Sequence, residues 1–339
     1  MLGASGYAGA ELLRLLIGHP FVRVAFLGAH DSAGHTVGEV FPYLAPITDD
    51  TLQRIESFEP GATPFILCAL PPGMAAQLVP ASLEAGSRVI DLSGDFRLSA
   101  DEYPRWYGFE HPAPAWLEKA AYGLTELRRN DIAGAALVAN PGCYPTPVIL
   151  GLAPLLTGGL VAPAPIIVDG KSGISGAGKK PTAQSHFASL DGSVQPYRIG
   201  KHQHGPEMEA ALTRGGAGDV SITFVPHLVP SVRGIVTTAY ATAAPGIGPG
   251  DLNEALARAY EGEPFVRVVP VGSVPDPKRL TGSNVCEVGV GFDTHTQTAV
   301  VVGAVDNLGK GAAGQAVQNL NAMMGWPETT GLSTVGVYP

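Results

Sequence analysis

Three cysteines in 339 residues are too few and too scattered to staple a fold. Cys68, Cys143 and Cys286 form an odd set with no paired spacing, so neither a disulfide framework nor a metal site is expected from them. Charge is scarce too: 15% of the residues are Asp, Glu, Lys or Arg, against about 25% in an average soluble domain. Cations are the scarcer sign, 21 against 30 acidic residues, for a net charge of −9. That argues against nucleic acid or an anionic membrane surface as partner. A phosphorylated substrate stays compatible, since local cations override the global sign. No apolar run approaches the ~18 residues of a membrane span, and no charged-then-apolar leader precedes the first motif. A reducing cytoplasm is the expected compartment.

What is plentiful is apolar and turn-forming. Apolar residues make up 45% of the chain, and 44 glycines with 30 prolines make up a little over a fifth. The glycines sit in turns between apolar runs, which reads as many loops on a folded scaffold. The length allows one large or two medium domains.

The first half alternates in type. Ala8 to Ile17 has a helical apolar pattern, Phe21 to Leu27 reads as a strand, and so does Phe65 to Leu70. Met74 to Ala85 reads as a helix stopped by Gly86, with strands again at Arg88 to Leu92 and Ala135 to Ala139. Strand and helix in turn imply a parallel sheet covered on both faces. After Cys143 the rhythm changes to strand-like segments with few helices between: Pro165 to Asp169, Val220 to Pro226, Val232 to Ala241, Phe265 to Val269, Val285 to Phe292 and Thr298 to Val305. A mostly antiparallel α+β domain is expected there, with one helix over Asp251 to Tyr260. A last helix pattern runs from Gly311 to Met324.

Gly3-Ala4-Ser5-Gly6-Tyr7-Ala8-Gly9 spaces its glycines three apart and opens a helix. Backbone N–H groups in such a loop approach a pyrophosphate closely, and the helix dipole favours its charge. A dinucleotide fold needs a strand before this loop, yet only Met1 and Leu2 precede it, so the first strand is expected to be missing. The loop after Phe21 to Leu27 contains His30, Asp31 and Ser32. Asp31 would accept from a ribose 2′-hydroxyl and favour NAD; His30 and Ser32 would hold a 2′-phosphate and favour NADP.

Asn140-Pro141-Gly142-Cys143-Tyr144-Pro145-Thr146 places a cysteine between an apolar run and a helix expected to begin near Pro145. A thiol at a helix N-terminus faces unpaired N–H groups and the positive end of the dipole, which favour the nucleophilic thiolate. The ordinary alternative is a buried, inert thiol, the reading given to Cys68 and Cys286. Four further stretches are too polar and glycine-rich for core: Asp91 to Arg97, Lys171 to Lys179, Tyr197 to Glu207 and Asp306 to Gly311. Extended backbone would point His202 and His204 to one side and Gln203 to the other. Arg97 suits a bidentate grip on a carboxylate or phosphate. Ser172 to Gly178 could offer backbone N–H groups to phosphate or cofactor, with Lys179 and Lys180 adding charge. Arg233 is either a substrate or a structural residue, and Glu207 either orients a histidine or sits in a helix's first turn.

Together these stretches, with Tyr122 to Glu126, Arg233-Gly234 and Trp326 to Thr329, resemble the N-acetyl-γ-glutamyl-phosphate reductase family. The Pro-Gly-Cys-Tyr-Pro-Thr run followed by His-x-His-x-Pro-Glu is the specific part; Gln203 departs from the His-Arg-His of many members. The resemblance implies a Rossmann NADP-binding domain (1–142), a catalytic and oligomerisation domain (143–306), and a C-terminal helix and tail (307–339) returning to the first domain. It implies NADPH-dependent reduction of an acyl phosphate to an aldehyde through a cysteinyl thioester, in a homodimer or homotetramer. Cys143 would be the nucleophile, with His204, or second His202, as acid/base. Gly3, Ser5, Gly6, Tyr7, Ala8, Gly9, His30, Ser32, Ser175, Gly176, Asn307 and Gly311 would serve the cofactor. Arg97, Asn140, Ser172, Gly173, Tyr197, His202 and Arg233 would serve the substrate. The alternatives are the related reductase of lysine biosynthesis, acting on an aminoadipyl phosphate, and a non-catalytic NADP-binding protein.

Overall fold

In a computed structural model, which describes residues 1–338, the chain divides into two compact units. The first joins Met1–Pro141 to Ala312–Leu332, and the second comprises Gly142–Gly311 with the stretch from Ser333.

The first unit is built on short parallel strands: β1 (Gly28–Ala29), β2 (Gln53–Arg54), β3 (Phe65–Cys68), β4 (Arg88–Asp91), β5 (Ala121–Tyr122) and β6 (Leu137–Ala139). One sheet has the order β3-β4-β6-β5, and β1 pairs with β2 beside it. Leu2 ties the two together through parallel bridges to Gly28 and Cys68. Its N–H donates to Leu67 O at 2.9 Å, and its carbonyl accepts from Ala69 N at 2.8 Å. The place of the strand expected to be missing is therefore held by two residues. The strand expected over Phe21–Leu27 is corrected: strand pairing begins only at Gly28. Just before it, Met1 N donates to Phe26 O at 2.7 Å.

Alternation along these strands fills both faces, as a covered parallel sheet requires. Ile66, Cys68, Val89, Leu137 and Ala139 pack with Ala75, Val79 and Leu83 of the helix Ala75–Glu84. Leu67, Ile90 and Val138 pack on the other side with Leu12 and Leu16 of the helix Tyr7–Ile17 and with Val317 and Leu320 of the helix Gly314–Met324. The last helix thus completes the core of the first unit. The segment expected as 307–339 is divided. Residues 307–311 group with the second unit, because the side chains of Asp306 and Asn307 bind the backbone N–H groups of Gly282 and Gly234 there, at 2.7 and 2.8 Å. The tail does likewise: Val337 N donates to Thr281 O at 2.7 Å.

The second unit is one mixed sheet of β7 (Ile166–Gly173), β8 (Gln195–Pro196), β9 (Ile222–Val229), β10 (Ile235–Thr242), β11 (Val266–Val268), β12 (Cys286–Asp293) and β13 (Thr298–Val305), in the order β11-β12-β13-β10-β7-β9-β8. Among the described residues its pairs are antiparallel except β7 with β9 and β11 with β12. Residues Ile166 and Val168 are fully buried while Ile167 between them is 50% exposed, so one face is core and the other open. The helix Pro145–Thr157 packs on the core face, as does Pro249–Ala259. Cys68 and Cys286 are both completely buried, the fate of ordinary core thiols. Burial first, and the Asp91 charge second, push the Cys68 thiol well above its usual range.

Candidate active site

After β6 the chain turns through Asn140, Pro141, Gly142 and Cys143, and the helix Pro145–Thr157 begins with Tyr144 as its N-cap. Proline at the first helical position has no N–H to lose, which fixes the start of the helix there. Cys143 is the one partly exposed cysteine among the three. Two contacts within the second unit fix the turn around it. The N–H of Gly142 donates to Glu207 Oε1 at 2.8 Å, and a Cβ on Gly142 would lie 2.4 Å from His204 Nε2. The His204 ring therefore rests on the backbone of the residue next to the thiol, and only glycine fits between. On another side a Cβ on Gly311 would come within 3.1 Å of Cys143 Cβ.

His204 is the first residue of the helix His204–Leu212, and Glu207 lies in its first turn. Glu207 is 1% exposed; one carboxylate oxygen holds Gly142 and the other faces His204 Nε2 at 3.9 Å. It thus both orients a histidine and serves a helix N-terminus. The His202–His204 segment is not extended: Gln203 has helical angles and its Oε1 accepts from Arg198 Nη1 at 2.9 Å. The histidine rings meet all the same, with centroids 4.6 Å apart. The N–H of His204 donates to His202 Nδ1 at 3.2 Å, so that nitrogen carries no proton. Burial first, then the neighbouring His204 and Arg198, push the His202 imidazolium down to about 2. His202 is neutral at working pH and keeps Nε2–H as a donor.

Around the pair stand Tyr144 and Tyr197, with Tyr197 stacked edge-on to His202 at 5.6 Å. Burial raises both phenols, Tyr197 to about 12, and the Cys143 charge adds to it. Both stay protonated, and Tyr144 donates its hydroxyl proton to His227 O at 3.2 Å. Nearby, Asn307 links the expected cofactor residue Ser175, its Nδ2 donating to Ser175 Oγ at 2.9 Å. Ser172 is buried with its hydroxyl on Gly173 O at 2.9 Å, and Gly176 sits where a Cβ would be 2.9 Å from that hydroxyl. Gly173 is a site of close approach, since a Cβ there would lie 2.9 Å from Arg233 N.

Three substrate candidates have partners within the chain, and one lies off the strand expected for it. Arg233 lies in the connection between β9 and β10, not on a strand, and pairs with buried Asp306 at 2.9 Å. Arg97, in the first unit, is 6% exposed, and its Nε and Nη2 donate to the carbonyls of Asn140 and Leu92 at 2.7 and 3.0 Å. Asn140 is fully buried and its side chain binds Ala312 O and Asn319 Nδ2. In each case the polar group meets a chain partner remote in sequence, which residue type alone does not reveal.

In the first unit the glycine loop runs into the helix Tyr7–Ile17 with Gly6 as N-cap. Gly3 has φ +88°, and a Cβ there would sit 2.3 Å from Ala69 O, while one on Gly9 would sit 2.2 Å from Gly3 O. These two glycines let the loop close on the sheet. At Gly6 nothing lies within 4 Å of a Cβ position, so the helix N-terminus is open for a phosphate to approach. Ser5, Tyr7 and Ala8 complete that rim. At the end of β1, His30 Nδ1 meets Asp31 Oδ1 at 2.9 Å with both side chains in solvent, and that hydrogen bond chiefly raises the His30 pKa. Among the described residues no group of His, Cys, Asp and Glu is arranged to hold a metal ion, and no helix is long and apolar enough to cross a membrane.

Both units match family models of the semialdehyde dehydrogenases. Residues 1–135 match the family described as semialdehyde dehydrogenase, NAD binding domain, and residues 143–307 match semialdehyde dehydrogenase, dimerisation domain. Solved structures share the fold. Aspartate semialdehyde dehydrogenase II from Vibrio cholerae superposes with TM-score 0.74 at 19% identity, covering 95% of this chain and 96% of that one. The NADP complex of the Candida albicans enzyme gives 0.67 at 17%, covering 95% and 97%. Much nearer in sequence is the N-acetyl-gamma-glutamyl-phosphate reductase of Geobacillus stearothermophilus, 45% identical over all of this chain and 99% of its own length. That of Geotalea daltonii is 47% identical over all of this chain and 99% of its own. The chain belongs to the N-acetyl-gamma-glutamyl-phosphate reductase family.

Proposed function

We propose that this chain reduces N-acetyl-L-glutamyl 5-phosphate to N-acetyl-L-glutamate 5-semialdehyde and phosphate in arginine biosynthesis, with NADPH as hydride donor. The observation that supports it best is the Cys143 turn backed by His204 and Glu207, in a chain whose relatives bear that enzyme's name over their full length.

The Cys143 thiolate attacks the acyl carbon, and the C–O bond to phosphate breaks, leaving a thioester and free phosphate. When bound, the nicotinamide supplies the hydride that turns the thioester into a thiohemiacetal. His204 donates the proton that the carbonyl oxygen then needs, and takes it back as the aldehyde leaves and the thiolate re-forms. Glu207 steadies the imidazolium that this requires. His202, neutral throughout, donates from Nε2 to the substrate rather than transferring a proton. Tyr197 adds a second neutral donor, whereas the N–H groups of Gly173, Ile174, Ser175 and Gly178, expected to serve a phosphate, already donate to backbone carbonyls. The glycine loop with His30 and Ser32 takes the dinucleotide. The protein acts as a cytoplasmic homodimer or homotetramer assembled through its second unit, consistent with the match to a dimerisation domain and the open sheet face bearing Ile167.

The test is the reverse assay: semialdehyde, phosphate and either NADP or NAD, followed at the reduced-nicotinamide absorbance. Turnover with NADP, and faster consumption of the N-acetylglutamyl than of the aminoadipyl acyl phosphate in the forward direction, are expected. Preference for the aminoadipyl substrate would overturn the assignment.

A further inference from the structure

The helix Gly314–Met324 carries four buried amides: Gln315, Gln318, Asn319 and Asn321 are each 0% exposed. Burying an amide costs free energy unless its hydrogen bonds are made, so each should have a task. Asn321 holds the following turn, its Nδ2 donating to Glu328 O and Thr330 O at 3.0 and 2.9 Å. Asn319 reaches elsewhere. Its Nδ2 donates to Gly123 O at 2.8 Å and to Asn140 Oδ1 at 2.9 Å, residues 196 and 179 positions away. Its Oδ1 accepts from Thr125 Oγ1 at 2.8 Å.

We propose that Asn319 is a positioning residue for the cysteine turn, acting through Asn140. The proposal rests on the thioester reading of Cys143. Chemistry leaves the amide one orientation: Gly123 O can only accept, so the atom facing it is nitrogen, and Asn140 must offer oxygen to the same nitrogen. Asn140 agrees, since its own Nδ2 faces another obligate acceptor, Ala312 O, at 3.2 Å. Its main chain is fixed as well, N–H to Asp91 O at 2.8 Å and O from Arg97 Nε at 2.7 Å. Every polar group of Asn140 is thereby assigned. Between it and the thiol stand Pro141, whose φ is locked, and Gly142, so a fixed Asn140 leaves the turn few free dihedrals. The room for the Asn319 amide comes from Gly123, where a Cβ would lie 2.5 Å from Nδ2.

The experiment compares Asn319→Asp, Asn319→Ala and Asn321→Ala with the parent. One readout is kcat and KM in the reverse assay; the other is the pH dependence of Cys143 alkylation by iodoacetamide, with Cys143→Ser as background. Both Asn319 variants should lower kcat tenfold or more with KM for NADP within about twofold, and should move the alkylation midpoint. Asn321→Ala, an equally buried amide of the same helix, should lower the melting temperature yet leave kcat and the midpoint in place. Should the Asn319 variants not fold, Thr125→Val, which removes the shorter of the two hydrogen bonds to Asn319 Oδ1 and leaves that from Gln315 Nε2 at 3.3 Å, must shift the midpoint in the same sense. An unmoved midpoint in these variants, or an equal movement in Asn321→Ala, overturns the proposal. If the parent does not turn over the acyl phosphate, the functional reading fails while the alkylation comparison still decides the role of Asn319.

Discussion

The glycine loop of the first unit and the cysteine turn of the second are both strand-to-helix turns, and they treat their backbone in opposite ways. At the glycine loop Gly3 and Gly9 are packed to contact, but the N-cap Gly6 faces open space. At the cysteine turn the N–H of Gly142 is taken by Glu207, and its face is covered by His204. A loop that receives a ligand must leave donors uncovered, and a loop that presents a nucleophile must have its donors occupied so that the side chain is held. The same local motif thus serves binding in one place and preorganisation in the other.

This contrast can be broken in order of severity. Cys143→Ser should lose about a thousandfold or more in kcat, because a hydroxyl at that turn lacks the ionisation that makes a thiol nucleophilic; steady-state turnover measures it. Glu207→Gln keeps an oxygen for Gly142 N but removes the charge beside His204. We expect kcat to fall about 10- to 100-fold with KM nearly unchanged, and Glu207→Ala, which also releases the turn, to fall further. Gly6→Ala fits the open space sterically, so the melting temperature should hold while KM for NADPH rises about tenfold, as a methyl crowds the phosphate approach.

A stability test sharpens the comparison from behind the turn. Asp91, whose carbonyl holds Asn140 N, is fully buried, with Oδ2 unpaired. Burial first, then the Asp95 charge, raise its carboxyl from 3.8 to about 6. The folded state therefore binds the extra proton, and the stability this gives is complete below pH 3.8 and lost as pH rises through about 6. Asp91→Asn should melt close to the parent at pH 4 and above it at pH 8, by up to ~3 kcal/mol for a displacement of about two pH units. Thermal melts at the two pH values check the sign.

Much of the first contrast was legible in the sequence. Glycines three apart before an apolar helix, and a cysteine between a strand and two prolines, are local patterns, and local backbone chemistry decides them. The His-x-His-x-Pro-Glu run was legible as a site but not as a geometry: extended spacing put both rings on one side, whereas Gln203 is helical and the rings meet through a bend. The roles of Arg97 and Asn140 were not legible, because their partners are main-chain carbonyls and an amide brought together by the tertiary fold. Asn319 was not legible either, because its partners Gly123 and Asn140 lie far away in sequence. The Phe21–Leu27 strand failed for a different reason: its residues favour a strand, but strand pairing depends on a neighbour that residue type does not reveal, and it begins only at Gly28.

The central claim is that the held thiol carries the acyl group. Mixing the enzyme with N-acetylglutamyl phosphate in the absence of NADPH, quenching in acid and mapping peptides by mass spectrometry tests it directly. The account predicts a stoichiometric burst of phosphate and one N-acetylglutamyl adduct on the Cys143 peptide, absent in Cys143→Ser. Turnover with no adduct, or an adduct on Cys68 or Cys286, would contradict it.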